Sequence, residues 1–228
     1  MIKRALKMSD IFFIIVLTIS FIFSFNGSNE DILGFLKEDE GWELIETKSD
    51  NLRIFEKDIP KMNLSALKVE KIVEIETNKI LEVVMDIGNY PDVMNNNSMI
   101  SYIIGKKYNS IYAYNKFSIP FFFISSRHYF FKINQISKNE INWTLVDSKE
   151  VKSSYELGVI FKKNNDAIYI NYGAGAWRVD KISDNLSKIS YSLYMDSGGS
   201  LSNYLNDLLA SQSIIMLFNG VLKKSGSI

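Results

Sequence analysis

The sequence predicts an α+β domain in which a curved antiparallel sheet wraps around one long C-terminal helix. Two observations carry this. The stretch 196–224 closes the chain with helical spacing: Leu201, Tyr204, Leu205, Leu208 and Leu209 fall at i, i+3, i+4, i+7 and i+8, and Ile214, Leu217, Phe218 and Val221 continue a broader apolar stripe. Nearly everything upstream reads instead as strands separated by short polar turns.

The elements follow in order. Lys3, Arg4 and Lys7 precede the uncharged run 11–25, a basic segment followed by an apolar core. That pattern is read as a secretory signal peptide over residues 1–27, or as an uncleaved N-terminal membrane anchor, since the exit 24–28 is a poor small-x-small site. Either way the protein is expected to be exported (periplasmic, outer-surface or secreted) or membrane-tethered. The globular domain is placed at 30–226. Residues 29–40 form a short amphipathic helix with acids at its start, broken by Gly41-Trp42. Residues 42–47 and 52–57 form a hairpin closed by Pro60. Over 65–76, Leu67, Val69, Val73 and Ile75 alternate with charged residues, giving one wet face and one core face. The period then switches: Ile80, Val83, Val84 and Ile87 are helically spaced after a Thr77 or Asn78 cap. Strands are expected at about 99–106, 110–117, 124–136, 140–147, 167–179 and 186–196, with 149–165 a mixed loop or edge strand. A turn at 197–200 precedes the last helix, capped by Ser197, Ser200 or Ser202, and Lys223 and Lys224 suit its negative end.

Composition removes several function classes. The chain has 26 basic and 26 acidic residues, so it carries no basic footprint for nucleic acid. It has no cysteine and a single histidine, His128, which excludes thiolate chemistry and a multi-histidine metal centre. No P-loop, G-x-G-x-x-G or G-x-S-x-G motif is present. Neither a catalytic residue nor a cofactor is expected.

Five motifs recur in a familiar order: Gly41-Trp42-Glu43-Leu44, Asp86 to Pro91 (DIGNYP), Ile124 to Tyr129 (ISSRHY), Gly175-Ala176-Trp177-Arg178, and Asp196 to Leu201 (DSGGSL). In this the chain resembles the START (StAR-related lipid transfer) domain of the Bet v 1-like helix-grip superfamily, over about residues 30–224. The resemblance implies a hydrophobic tunnel between sheet and helix that holds one lipid. The chain departs from the family in two places. The strand 111–117 carries no carboxylate to face the arginine, and His128 stands where aspartate is usual, so a sterol preference based on an arginine–acid pair does not carry over.

Arg127 shares strand phase with Tyr129 and Phe131, which points it to the apolar side. There it either holds a ligand head group or makes a structural ion pair with an acid such as Asp147 or Asp196. Tyr112, Tyr114, Tyr129, Trp143, Tyr172, Trp177 and Tyr191, with Leu205 and Leu208 of the helix, are the expected ligand-binding side chains. Leu145, Leu193 and Met195 join them as candidates for a cavity wall, the alternative being an ordinary core. The small residues 173–176 (GAGA) let the long C-terminal helix or a ligand approach closely, and close packing of that helix is the expected cause. The apolar loop 119–124 is a membrane-touching tip, a gate to the tunnel, or a segment folded back onto the core. The expected function is binding, with possible transfer, of a lipid or other hydrophobic small molecule at a membrane surface, without catalysis. The alternatives are a cyclase- or aromatase-like enzyme of the same superfold and an interaction protein with a filled core.

Overall fold

The computed structural model describes residues 27–119, 124–198 and 203–226, with backbone alone at 203–208. The expectations for the leader, for the loop residues 120–123 and for the Ser200 and Ser202 caps lie outside the described residues. No helix among the described residues is long and apolar enough to cross a membrane.

The chain runs α1 (Asn29–Lys37), β1 (Glu43–Thr47), β2 (Arg53–Asp58), β3 (Ser65–Val73), α2 (Thr77–Met85), a 3-10 turn (Ile87–Asn89) and α3 (Tyr90–Val93). It continues through β4 (Ile100–Lys107), β5 (Ser110–Phe117), β6 (Arg127–Ser137), β7 (Glu140–Leu145), α4 (Ser148–Ser153) and α5 (Tyr155–Lys163). It closes with β8 (Ile168–Tyr169), β9 (Tyr172–Lys181), β10 (Ser187–Asp196) and α6 (Asn203–Ser225). The strands make one sheet in the order β1-β2-β3-β10-β9-β7-β6-β5-β4, with β8 added in parallel to one end of β6 and every other pairing antiparallel. At 23 residues, α6 is about 34 Å long and reaches across the sheet.

The main core lies between the inner sheet face and the helices α2, α3 and α6. Ile80, Val83 and Val84 of α2 and Ile214, Phe218 and Val221 of α6 meet Val69, Ile133, Trp177, Ile189 and Tyr191 of the sheet. A smaller core lies on the outer face, where Ile32 and Leu36 of α1 pack on Ala66, Ala174 and Tyr194. A capping box at Ser28 and Asp31 starts α1. Asn29 fastens it to the sheet by donating to the Leu145 and Asn171 carbonyls, both at 2.9 Å, and accepting from the Gly173 N–H at 2.8 Å.

Three local expectations are corrected. The segment 149–165 is two short helices covering the outer face of β5 and β6, capped by Asp147 and Ser154. Residues 167–179 divide into β8 and β9, because Ile170 turns into the main core. The N-cap of α2 is Glu76, without a side-chain cap bond, and neither Thr77 nor Asn78 serves.

The GAGA stretch answers to both faces of the sheet. On the outer face Ala174 receives α1. On the inner face a Cβ at Gly175 would lie 2.4 Å from Trp143 Nε1, and one at Gly173 2.9 Å from Leu145 Cδ1. The indole of β7 thus lies over the bare backbone of β9, where Trp143 pairs with Gly175, and donates to the Tyr191 hydroxyl of β10 at 3.2 Å.

Candidate functional site

Between the sheet and the middle of α6, at residues 209–217, the side chains do not close up. A cavity of about 290 Å³ remains. Its floor is aromatic: Phe131 and Tyr129 of β6, Trp143 of β7, Trp177 of β9 and Tyr191 of β10 all border it. Trp177 and Tyr191 are stacked, centroids 4.0 Å apart and planes 10° from parallel. Leu193 and Met195 extend the floor, Met94 and Met99 form a side wall after α3, and Leu209, Ser213 and Leu217 of α6 form the roof. Exposed Ser98, Ser118, Gln212 and Met216 stand where it meets solvent, next to Ile119.

Strand alternation explains why these residues meet. Tyr129 and Phe131 share one face of β6, and the antiparallel register places Asn115 of β5 opposite Tyr129 and Ala113 opposite Phe131. Asn115 donates from Nδ2 to the Tyr129 hydroxyl at 2.9 Å. Tyr90 enters from α3 and donates its hydroxyl to the Val84 carbonyl at 2.6 Å. Burial pushes the phenol pKa values of Tyr90, Tyr129 and Tyr191 upward, so all three are neutral across the physiological range.

Of the residues singled out from the sequence, Tyr129, Trp143, Trp177 and Tyr191 come together at the cavity. Tyr112 and Tyr114 do not. They point to the outer face, where they pack with Phe130, Phe161 and Tyr169 under α4 and α5. Tyr172 begins β9 at the surface, 47% exposed. The side chains of Leu205 and Leu208 lie outside the described residues.

Arg127 does point inward in phase with Tyr129, but among the described residues it neither borders the cavity nor pairs with an acid. It is 1% exposed, and it donates from Nε to the Ser197 carbonyl at 3.0 Å, from Nη2 to the Gly198 carbonyl at 3.2 Å and from Nη1 to the Ser125 carbonyl. Asp147 instead caps α4, accepting from the Lys149 N–H, and Asp196 accepts from the Gly198 N–H at 2.9 Å. Three main-chain carbonyls therefore solvate the buried guanidinium, whose pKa burial lowers. The residue ties the turn that leads into α6 to the end of the β5–β6 connection. His128, on the opposite face, is enclosed by Tyr114, Phe161 and Tyr169, and burial brings its pKa down to about 4.

Sequence reading missed Asn115, Tyr90, Met94 and Met99. A signal for Asn115 was present: the phase that turns Tyr129 inward fixes the phase of its hairpin partner, and so favours Asn115 over its tyrosine neighbours.

The sheet, the closing helix and the space between them define a START-type helix-grip fold. The chain is similar to human StAR-related lipid transfer protein 5, with a TM-score of 0.65 and 12% identity over 87% of this chain and 92% of that one. It is also similar to human STARD10, with a TM-score of 0.64 and 13% identity over 85% of this chain and 78% of that one. A STAR-related lipid transfer protein fragment from Xanthomonas axonopodis matches with a TM-score of 0.61 and 16% identity, over 82% of this chain and 98% of the fragment. No family model and no curated protein sequence matches this chain.

Proposed function

We propose that this protein binds, and can pass on, a lipid or other hydrophobic small molecule held between α6 and the sheet, without chemical change to it. The observation that carries the reading is the cavity itself, aromatic-floored and roofed by the middle of α6. Such a space gains affinity by removing ligand carbon from water, at about 25 cal/mol per Å² of apolar surface, while a few polar groups set orientation. Solved proteins of the same fold carry names that describe lipid transfer, which supports the same reading. Among the described residues, the ionisable groups bordering the cavity are phenols held in their protonated form, a poor starting point for acid–base catalysis near neutral pH. Uptake proceeds by displacement of the first half of α6 and the neighbouring loop at a membrane surface. The N-terminal segment delivers the domain there, as an export signal or as a tether.

Native mass spectrometry of the full-length chain, purified from lipid-rich cells, tests this. A bound species of lipid mass, released on denaturation, is the expected result. Protein that stays empty both after purification and after incubation with a total lipid extract overturns the proposal.

A further inference from the structure

Among the described residues that border the cavity there is no Asp, Glu, Lys, Arg or His. Its polar groups are neutral and unevenly placed. Ser98, Ser118 and Gln212 stand at the rim, exposed to water. Asn115 is interior, 1% exposed, and its Oδ1 is buried with no hydrogen-bond partner. An orphaned carbonyl oxygen of this kind forfeits a hydrogen bond it had in water, and since Asn115 borders the cavity, a small turn of its amide would present that oxygen to a ligand atom. Its neighbour is equally unfinished. The Tyr129 hydroxyl accepts from Asn115 Nδ2 and still has its own proton to give. The pair therefore offers one acceptor and one donor, side by side. Exchanging the amide ends preserves that count: Tyr129 then donates to the amide oxygen, and the amide N–H and the second phenol lone pair are left over.

We propose that Asn115 and Tyr129 form the recognition point for the hydroxyl group of a neutral, single-chain lipid alcohol. The inference rests on the lipid-binding reading above and assigns its ligand class. A hydroxyl donates and accepts at once, and so completes both partners. A carboxylate or phosphate only accepts, and brings a charge into a lining without a countercharge. A plain hydrocarbon leaves both polar groups unmet, which is the kind of mismatch that discriminates most strongly. Burial of Tyr129, which raises its pKa, keeps the donated proton in place. A volume of about 290 Å³ is at the lower end for small-molecule sites, roughly 300–1,000 Å³, and suits one chain better than two.

The test is equilibrium binding of radiolabelled 1-hexadecanol, hexadecane and palmitate to the full-length chain, each delivered from cyclodextrin at pH 7. Hexadecanol is expected to bind about tenfold tighter than either of the others. Asn115→Leu should erase its advantage over hexadecane and Tyr129→Phe should reduce it severalfold, part of each change coming from tighter hexadecane binding once an unmet polar group is gone. Should Asn115→Leu fail to fold, as judged by melting, Tyr129→Phe carries the comparison. Palmitate binding as tightly as the alcohol, or an alcohol-to-hydrocarbon ratio unmoved by the substitutions, overturns this assignment and leaves the lipid-binding reading intact. No binding by any of the three overturns this assignment, and removes the lipid-binding reading as well where the protein also stays empty with the total lipid extract.

Discussion

The two halves of α6 face the same sheet and meet it differently. In the second half Ile214, Phe218 and Val221 have no exposed surface, and the Phe218 ring lies parallel to Trp177 at 6.0 Å between centroids. Gly220 lies so close to α3 that a Cβ there would stand 1.9 Å from the Val93 carbonyl oxygen. In the first half Leu209, Gln212 and Ser213 border open space, and the changeover lies at Met216, 46% exposed, and Leu217, which still border it. What stands opposite decides the difference. The second half meets α2, α3 and the centre of the sheet, whereas the first half faces the end of the β5–β6 hairpin, where Asn115 and Tyr129 leave a gap. One helix thus combines an anchor with a movable roof, and substitutions in its two halves should separate stability from ligand exchange.

The largest effect is expected at Phe218. Phe218→Ala removes a fully buried ring from the anchor and should destabilise the fold by about 3–5 kcal/mol in chemical denaturation. A loss below 1 kcal/mol would show that the second half is not the anchor. Gly220→Ala comes next. The added methyl cannot coexist with the Val93 carbonyl unless helices part, so a loss of about 1–3 kcal/mol is expected. An unchanged melting temperature would mean that α6 and α3 slide freely, contrary to an anchored end.

Arg127→Leu addresses the other end of the helix. It leaves the carbonyls of Ser125, Ser197 and Gly198 without their donors, at a cost of about 1–3 kcal/mol. Amide exchange should rise more in 203–210 than in 216–225, while equilibrium affinity for lipid stays within about twofold because Arg127 does not border the cavity. Equal acceleration along the whole helix would refute a separate roof. The mildest test is pH. His128 has its folded-state pKa lowered to about 4, so the unfolded chain binds the proton first. Stability should be fully present above about pH 6.5 and fall as pH drops toward 4. Affinity for a neutral lipid should stay flat while the protein remains folded, since no carboxylate or histidine borders the cavity among the described residues. His128→Phe should flatten the stability profile. A profile as steep as that of the parent would place the titration elsewhere.

Much of this architecture was legible from side-chain period alone. The alternation around Val69, the switch to helical spacing at Ile80, and the closing helix all appear where the pattern puts them, because each has one face in the core. The helices α4 and α5 were not legible, since they lie on the outer face where Val151 and Leu157 suffice as anchors and no long stripe is needed. Their caps, Asp147 and Ser154, were the readable sign. At the site, strand phase turned Tyr129 inward beside Arg127, while the family resemblance more than periodicity picked out Trp143, Trp177 and Tyr191, which border the cavity. Attention to aromatic type displaced phase at Tyr112 and Tyr114, which flank the inward Ala113 and precede Asn115 in the same strand. Arg127 was correctly turned inward, but main-chain carbonyls hold it, and an inventory of acidic side chains cannot reveal those.

Trp143 and Trp177 both border the cavity, whereas Trp42, the third tryptophan, packs on the outer face with its indole N–H donated to the Glu38 carbonyl. The molecule therefore carries its own optical gauge. Displacement of water from the two inner indoles should blue-shift ultraviolet emission as the space fills, with the outer indole a steady background, so occupancy can be followed in real time without attaching a dye.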